Sequence, residues 1–247
     1  MTNSEIDYSL HYRRWNSTSP QFYDQQSSFF SRFLSDELSR FSRNSKVLDY
    51  GCGYGLLTYY LVGKFDDVIG VDASKQQIEV GLTHNLPLLH LPIDHFSLWC
   101  NDNKSCFDLI FLFDVLEHIK PDEQILFMRT LVLLLKPGGS IYIKVPNANS
   151  LLASRWRYID WTHLSSFTEA SLDFVCINSN LINPKYLPDD SSLLPRFLWI
   201  PRPSILRVYL KLILRQLWKI YLWSELGKQI KEISVGYNLF AVYNKIV

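Results

Sequence analysis

The sequence predicts an α/β protein: a seven-stranded, mostly parallel sheet with helices on both faces. Three observations carry that prediction. Short apolar runs alternate with helical segments between Lys46 and Val145, and strand–helix alternation dictates parallel pairing because each strand needs a crossover to reach the next. The run Phe107-Asp-Leu-Ile-Phe-Leu-Phe113 is almost continuously apolar, as a strand buried on both faces must be. The first run, Lys46–Tyr50, empties into the glycines Gly51, Gly53 and Gly55, the residue type that a sharp strand-to-helix turn demands.

The elements follow in order. Residues 1–45 form an N-terminal helical cap, with a helix over Gln25–Phe41. Lys46–Tyr50 is the first strand and Leu56–Val62 the helix after its turn. Val68–Asp72 is the second strand, followed by a polar helix from Ser74 to His84. Leu86–Leu91 is a third strand stopped by Pro92, and Phe107–Phe113 the fourth. Pro121 to Lys136 carries an early proline and a Lys-Pro-Gly-Gly stop, so it reads as a helix before a fifth strand at Ser140–Val145. Thr168–Asn180 is a helix that Thr168 caps, Asn183–Leu187 a sixth strand, and Gly236–Lys245 a closing strand. The core thus spans 46–187 and closes with 236–247, while 188–235 is a helical insertion before the last strand. That connection is long for a fold of this kind.

Composition excludes several classes. The 247 residues are 47% hydrophobic and 20% charged, with net charge +1, which is neither a disordered tail nor a disulfide-stapled mini-protein. Near-neutrality argues against bulk electrostatic binding of nucleic acid. The average hides segregation, however. Eight basic residues and one acid lie between Arg196 and Lys231, leaving 17 basic and 23 acidic residues elsewhere. The four cysteines form no CxxC pair, and the N-terminus lacks the basic flank and apolar stretch of a signal peptide. A reducing, cytoplasmic setting is expected, at the inner face of a membrane if the late helix binds one.

Glycines at a βα turn let backbone approach a ligand closely. Asp72 ends the next strand about 20 residues on, where a ribose-binding acid belongs. Together they place a nucleoside cofactor across the carboxyl ends of the strands; the alternative is a tight turn in an unliganded protein with Asp72 capping its helix. The dinucleotide pattern would need a small residue where Leu56 stands, and Asp49 before the turn favours a cationic ligand over a pyrophosphate. A sulfonium with an amino-acid tail fits that charge.

At these residues the sequence resembles the class I S-adenosylmethionine-dependent methyltransferases, of type 11/12, whose first motif has the form LDxGCGxG. The resemblance covers about Lys46 to Leu181 and implies a Rossmann-like fold. Gly70-Val-Asp-Ala-Ser is similar to the family's second motif, Phe107–His118 to its fourth strand and loop, and Leu134-Leu-Lys-Pro-Gly-Gly to the motif before strand five. It implies that Asp49, Gly51, Cys52 and Gly53 surround the methionine tail, that Asp72 and Ala73 hold the adenosine, and that Phe113 lies at the methyl end. Core packing is the alternative for Phe113. Relatives carry Gly-Asp-Ala after strand three; here Pro92 stands at the acid's place, leaving Ile93 and Asp94 as adenine contacts.

Arg155–Thr168 overhangs the cofactor edge and contains Asp160 and His163. Histidine suits proton removal from a hydroxyl near neutral pH, and a carboxylate could orient it; the alternative is a structural turn in which both bond backbone amides. The pattern D-x-T-H with F-T-x-x-S-L is similar to methyltransferases of bacterial saccharide-biosynthesis clusters, which favours His163 as catalytic base with Asp160. His118 is a second candidate, more suited to bracing its loop. No carboxylate or histidine cluster along the chain asks for a metal, so none is expected.

Arg207, Lys211, Arg215 and Lys219 recur every four residues within an otherwise apolar, aromatic stretch at 204–223. Such a helix suits a membrane interface. Soluble enzymes commonly bury such a face on the core or in a homodimer, with only the basic stripe wet, and that is the slightly favoured reading. The sequence therefore predicts an S-adenosylmethionine-dependent methyltransferase that O-methylates a sugar, a lipid-linked glycan or a small metabolite, with no nucleic-acid partner. A nicotinamide-dependent oxidoreductase and an inactive cofactor-binding module are the alternatives.

Overall fold

The computed structural model describes residues 18–188 and 203–246. Helix α1 (Pro20–Leu38) starts five residues before the predicted Gln25, because Ser19 caps it and Pro20 supplies a preset first-turn φ. Then come β1 (Lys46–Tyr50), α2 (Leu56–Val62), β2 (Asp67–Asp72), α3 (Lys75–Leu82, capped by Ser74) and β3 (Leu88–His90). A short 3-10 turn at Ile93–His95 leads into α4 (Phe96–Asp102), which the sequence reading left unassigned; it buries only Phe96 and Cys100, too few for a visible period.

β4 (Phe107–Phe113) has its predicted bounds. A 3-10 turn at Leu116–His118 follows, then α5 (Gln124–Val132) and β5 (Leu135–Pro146). Here the expectation is corrected: Lys136-Pro-Gly-Gly does not end the helix but lies inside an irregular strand. Phe107 pairs with Leu135 while Leu109 pairs with Ser140, so three extra residues bulge on β5, with Gly138 at φ 74°. α6 (Ala153–Tyr158) occupies part of the stretch read as loop. α7 (Glu169–Ile177) has Thr168 and Ser171 in a reciprocal capping box. β6 (Leu181–Leu187), α8 (Pro203–Leu226), a 3-10 segment at Gly227–Glu232 and β7 (Asn238–Lys245) complete the order.

The strands form one sheet in the order β3-β2-β1-β4-β5-β7-β6. β7 runs antiparallel to both β5 and β6, and the other pairs are parallel. Strand alternation sends neighbouring residues to opposite faces. Leu48, Ile110, Leu112, Ile141 and Ile143 pack with residues of α4, α5 and α7; Val47, Leu109, Phe111, Tyr142 and Val242 pack with those of α1 and α2. The carboxyl ends of β1, β2 and β4 therefore share one edge, and the chemistry-bearing residues follow those ends. The four cysteines are unpaired.

α8 departs from the core-packed form of the favoured reading. Lys211 and Arg215 lie 4.7 and 4.8 Å over the Tyr237 ring, Arg215 is buried, and the Trp218 indole N–H donates to Asn149 O at 2.9 Å. Half of the basic stripe thus faces the protein, held by cation–π contacts. The exposed side carries Leu206, Leu210, Ile213, Leu214, Leu217, Ile220, Tyr221 and Trp223. Among the described residues no helix is long and apolar enough to cross a membrane.

Close packing beneath the glycine turn sets one test. A Cβ on Gly81 would fall 2.3 Å from Leu88 Cδ1 and 2.7 Å from the Tyr54 carbonyl oxygen. Gly81→Ala is expected to lower unfolding stability by about 1–3 kcal/mol through overpacking against backbone, read as a lower denaturant midpoint with unchanged slope.

Candidate active site

The turn after β1 takes three left-handed glycines, Gly51, Gly53 and Gly55, at φ 76°, 54° and 78°. Its amides are consumed internally. Gly51 and Cys52 N–H both donate to Val71 O at 2.8 and 3.1 Å, Gly53 N–H donates to Asp72 Oδ2 at 2.8 Å, and Gly55 N–H to Cys52 O at 2.8 Å. A pyrophosphate needs free backbone donors, and these four are taken. What remains beside the turn is acidic: Asp49, 2% exposed, and Asp72. That donor set fits a cationic nucleoside, as S-adenosylmethionine is, and does not fit a dinucleotide.

Asp72 Oδ1 accepts the Ser74 amide at 2.7 Å, so one carboxylate ties the turn to the start of α3. A carboxylate has about four acceptor sites, which leaves lone pairs for two ribose hydroxyls. Burial raises its pKa, opposed by the two amide bonds and His90. Asp49 accepts from Thr58 Oγ1 at 2.7 Å, and burial pushes its pKa up to about 7. Burial beside these two acids also raises the Cys52 thiol. The Tyr54 carbonyl is fixed by the Tyr23 hydroxyl at 2.7 Å, which locks α1 to the turn.

Ala73 continues this group, its carbonyl 3.0 Å from His90 Nε2. Ile93 is 82% exposed just beyond β3, an apolar surface beside the Asp72 end, since Leu91 N–H donates to Asp72 O at 2.8 Å. Asp94 is exposed, its nearest ionic neighbour being His95 at 3.9 Å. Phe113 is 9% exposed and lies in the aromatic cluster of the α1 face, 5.3 Å from Phe240 and 5.7 Å from Phe111. Phe113 thus takes part in the aromatic packing of the α1 face at the carboxyl end of β4.

The loop after β5 meets the loop after β4. Leu164 and Ser165 N–H donate to Glu117 O at 2.7 and 3.2 Å, and Arg157 donates to the carbonyls of His163 and Leu164. This zipper brings the His118 and His163 rings to 4.8 Å, edge to face. Asp160 does not take up the orienting place expected of its carboxylate on His163. Its Oδ1 accepts from Thr162 N–H at 2.8 Å and Thr162 Oγ1 at 2.6 Å, while His163 Nδ1 lies 2.8 Å from Trp156 O. The reason is local: Asp160 closes a turn onto Thr162, two residues on.

Glu117 was missed by the sequence reading. It is fully buried, both carboxylate oxygens lack a hydrogen-bond partner, and Oε1 lies 3.9 Å from His163 Nε2. Burial, with Asp114 next, holds its carboxyl well above the usual range. Burial and His163 lower His118. The signal available was the Glu-His pair after strand four, but its partner stands 45 residues away and only the fold joins them. The loop that carries Glu117 and His118 also meets the cofactor turn, because a Cβ on Gly51 would fall 2.2 Å from Val115 Cγ2, two residues before Glu117.

A family model described as a methyltransferase domain matches residues 23–181, more than half of the chain. The chain belongs to this methyltransferase family. Solved methyltransferases share its fold: an Archaeoglobus fulgidus SAM-dependent methyltransferase superposes with TM-score 0.64 at 18% identity, over 97% of this chain and 100% of that one. A Burkholderia thailandensis 1,6-didemethyltoxoflavin-N1-methyltransferase, solved with S-adenosylhomocysteine, gives 0.55 at 17% identity over 97% and 84%. Among curated proteins, the mitochondrial ubiquinone biosynthesis O-methyltransferase of Rattus norvegicus is 32% identical over 48% of this chain and 38% of its own length. The Idiomarina loihiensis ubiquinone biosynthesis O-methyltransferase is 29% identical over 56% and 66%. For the first three such relatives the match spans 30–46% of their length. The class I resemblance and the S-adenosylmethionine cofactor drawn from the motifs agree with this membership.

Asp49 supplies the methyltransferase with a pH signature. Its folded pKa of about 7 lies above the ordinary aspartate value near 3.8, so the folded state binds more protons between those values and stability falls as pH rises through that window. Asp49→Asn, which keeps an oxygen for Thr58, is expected to stabilise the cofactor-free protein at pH 8 by about 4 kcal/mol. Near pH 4 the difference should nearly vanish, as thermal melts at the two pH values would reveal.

Proposed function

We propose that this chain is an S-adenosylmethionine-dependent O-methyltransferase acting on a hydroxyl of a lipophilic or lipid-linked metabolite, within the wider class of sugars, glycans and small metabolites. The observation that carries the cofactor side is the glycine turn whose Gly51, Cys52, Gly53 and Gly55 amides are spent while buried Asp49 and half-buried Asp72 stand beside it. The same observation disfavours a nicotinamide oxidoreductase. Asp72 would accept the ribose hydroxyls. Asp49 and the turn around Gly51, Cys52 and Gly53 would hold the ammonium-bearing tail. Ile93 would cover the adenine with Asp94 and Ala73 at its rim.

When bound, S-adenosylmethionine supplies an electrophilic methyl group whose departing electron pair returns to sulfur. The protein's own part is alignment, water exclusion and proton removal. The new O–C bond forms as the S–C bond breaks, and the hydroxyl proton is taken up at the Glu117–His118–His163 cluster. Asp160 acts through Thr162 and is a positioning residue. Transfer to oxygen is supported by the names of the curated relatives and by this proton-accepting cluster beside the turn.

A lipid surface is the partner that the exposed face of α8 suits. It is apolar, carries Tyr209, Tyr221 and Trp223, and is flanked by exposed Arg207, Lys219, Lys228 and Lys231 with Glu225 as the one acid from Leu206 to Lys231. Rings and basic residues in that arrangement favour an anionic interface.

Asp72→Ala is expected to weaken S-adenosylhomocysteine binding more than tenfold in calorimetry, and His163→Ala to abolish methyl transfer with cofactor affinity within twofold. Unchanged affinity in the first variant would remove the ribose assignment; retained turnover in the second would make His163 structural. The intact chain should cosediment with anionic vesicles, and Ile213→Glu with Leu217→Glu should release it. A chain that ignores vesicles and dimerises through the same face would replace the lipid by a second copy.

A further inference from the structure

Buried Glu117 and half-buried His118 and His163 lie together on the two loops that meet near the cofactor turn. Glu117, His118 and His163 each offer one ligand atom, and these atoms all lie within 4.8 Å of one another. Ligation at the usual 2.0–2.2 Å brings tetrahedral neighbours to roughly 3.3–3.5 Å, a small rotation from the present 3.9 Å between Glu117 and His163.

The surroundings fix which atoms are available. His163 Nδ1 faces the Trp156 carbonyl, which only accepts, so Nδ1 carries the proton and the Nε2 lone pair is turned toward Glu117. The Thr162 hydroxyl has one proton, given to Asp160 at 2.6 Å, so at 2.9 Å it accepts from His118 Nδ1–H. The hydrogen-bond network thereby assigns the same tautomer to both rings. Neither Nε2 makes a hydrogen bond among the described residues. Histidines that bind metal donate their other N–H to a carbonyl or carboxylate in this way. Here one goes to a carbonyl directly and the other reaches a carboxylate through a hydroxyl. The third member is a carboxylate with no exposure and no partner on either oxygen, an arrangement that costs folding free energy unless a cation meets it.

We propose that Glu117, His118 and His163 bind one divalent first-row transition-metal cation next to the methyl-transfer site. Two imidazoles and a carboxylate suit such an ion and leave coordination positions open. This deepens the O-methyltransferase reading and rests on it for the cation's use: a divalent cation at this place lowers the pKa of an acceptor hydroxyl that approaches it. Its proton then leaves to solvent, and the oxygen attacks the methyl carbon as the carbon–sulfur bond breaks. With the cation bound, His118 and His163 are ligands, and solvent takes the proton that the metal-free cluster would accept.

The test uses the full chain after chelator treatment, titrated with Mn²⁺ by electron paramagnetic resonance and with Zn²⁺ in competition. One saturable site per chain is expected. Glu117→Gln and His163→Asn should each weaken it at least tenfold. Thr162→Val, which leaves all three ligands, should weaken it by roughly 10-fold through loss of ring orientation; it also serves if a ligand variant fails to fold. Asp72→Ala should leave Mn²⁺ affinity unchanged while S-adenosylhomocysteine binding falls, which separates the metal site from the cofactor reading. No saturable binding of either ion at millimolar concentration would overturn the assignment, as would equal affinity in the wild type, Glu117→Gln and Thr162→Val.

Discussion

One carboxylate determines how this edge of the sheet is organised. Asp72 accepts the Gly53 amide on one oxygen and the Ser74 amide on the other, so the turn after β1 and the helix after β2 are tied to a single residue. Val71 O, next to it, takes two more amides from the same turn. The glycines are needed because three left-handed residues must bend the chain back onto β2. Once bent, the turn has no free donors at those positions. Its preference for positive charge follows from that tie and from the acids beside it.

The sheet was legible in the sequence wherever strands are continuously apolar or end in glycine. β1, α2 and β4 have their predicted limits. The failures have local causes. Lys136-Pro-Gly-Gly carries the residues that stop helices, yet pairing with β4 on both sides draws it into an irregular strand. α4 and α6 are 7 and 6 residues long, too short to display a period. The active-site residues divide in the same way. Asp49, Asp72 and the glycines are sequence neighbours of a strand end and could be read directly. Glu117 became visible only when two loops were joined through its own carbonyl, and Asp160 turned out to serve Thr162 because a two-residue turn outcompetes a longer reach.

The two halves of the edge are coupled mechanically. Gly51 rests on Val115, with no room for a Cβ between them. Val115 leads directly into the 3-10 turn that holds Glu117 and His118. A shift in the turn on binding a ligand therefore presses on the backbone that carries two of the three cluster residues. The glycine turn and the Glu117–His118 turn are joined through the Gly51–Val115 contact and the short segment that follows it.

α8 carries the remaining consequence. Cation–π contacts hold Lys211 and Arg215 against Tyr237 and turn leucine, isoleucine and tryptophan outward. A face of that kind raises the chemical potential of the folded chain while it is wet, and any amphiphile that covers it lowers that potential by mass action. If an amphiphile covers that face, the melting temperature would vary with the detergent or lipid in the tube although every internal contact is unchanged. Stability would then belong jointly to the chain and to the medium around one helix.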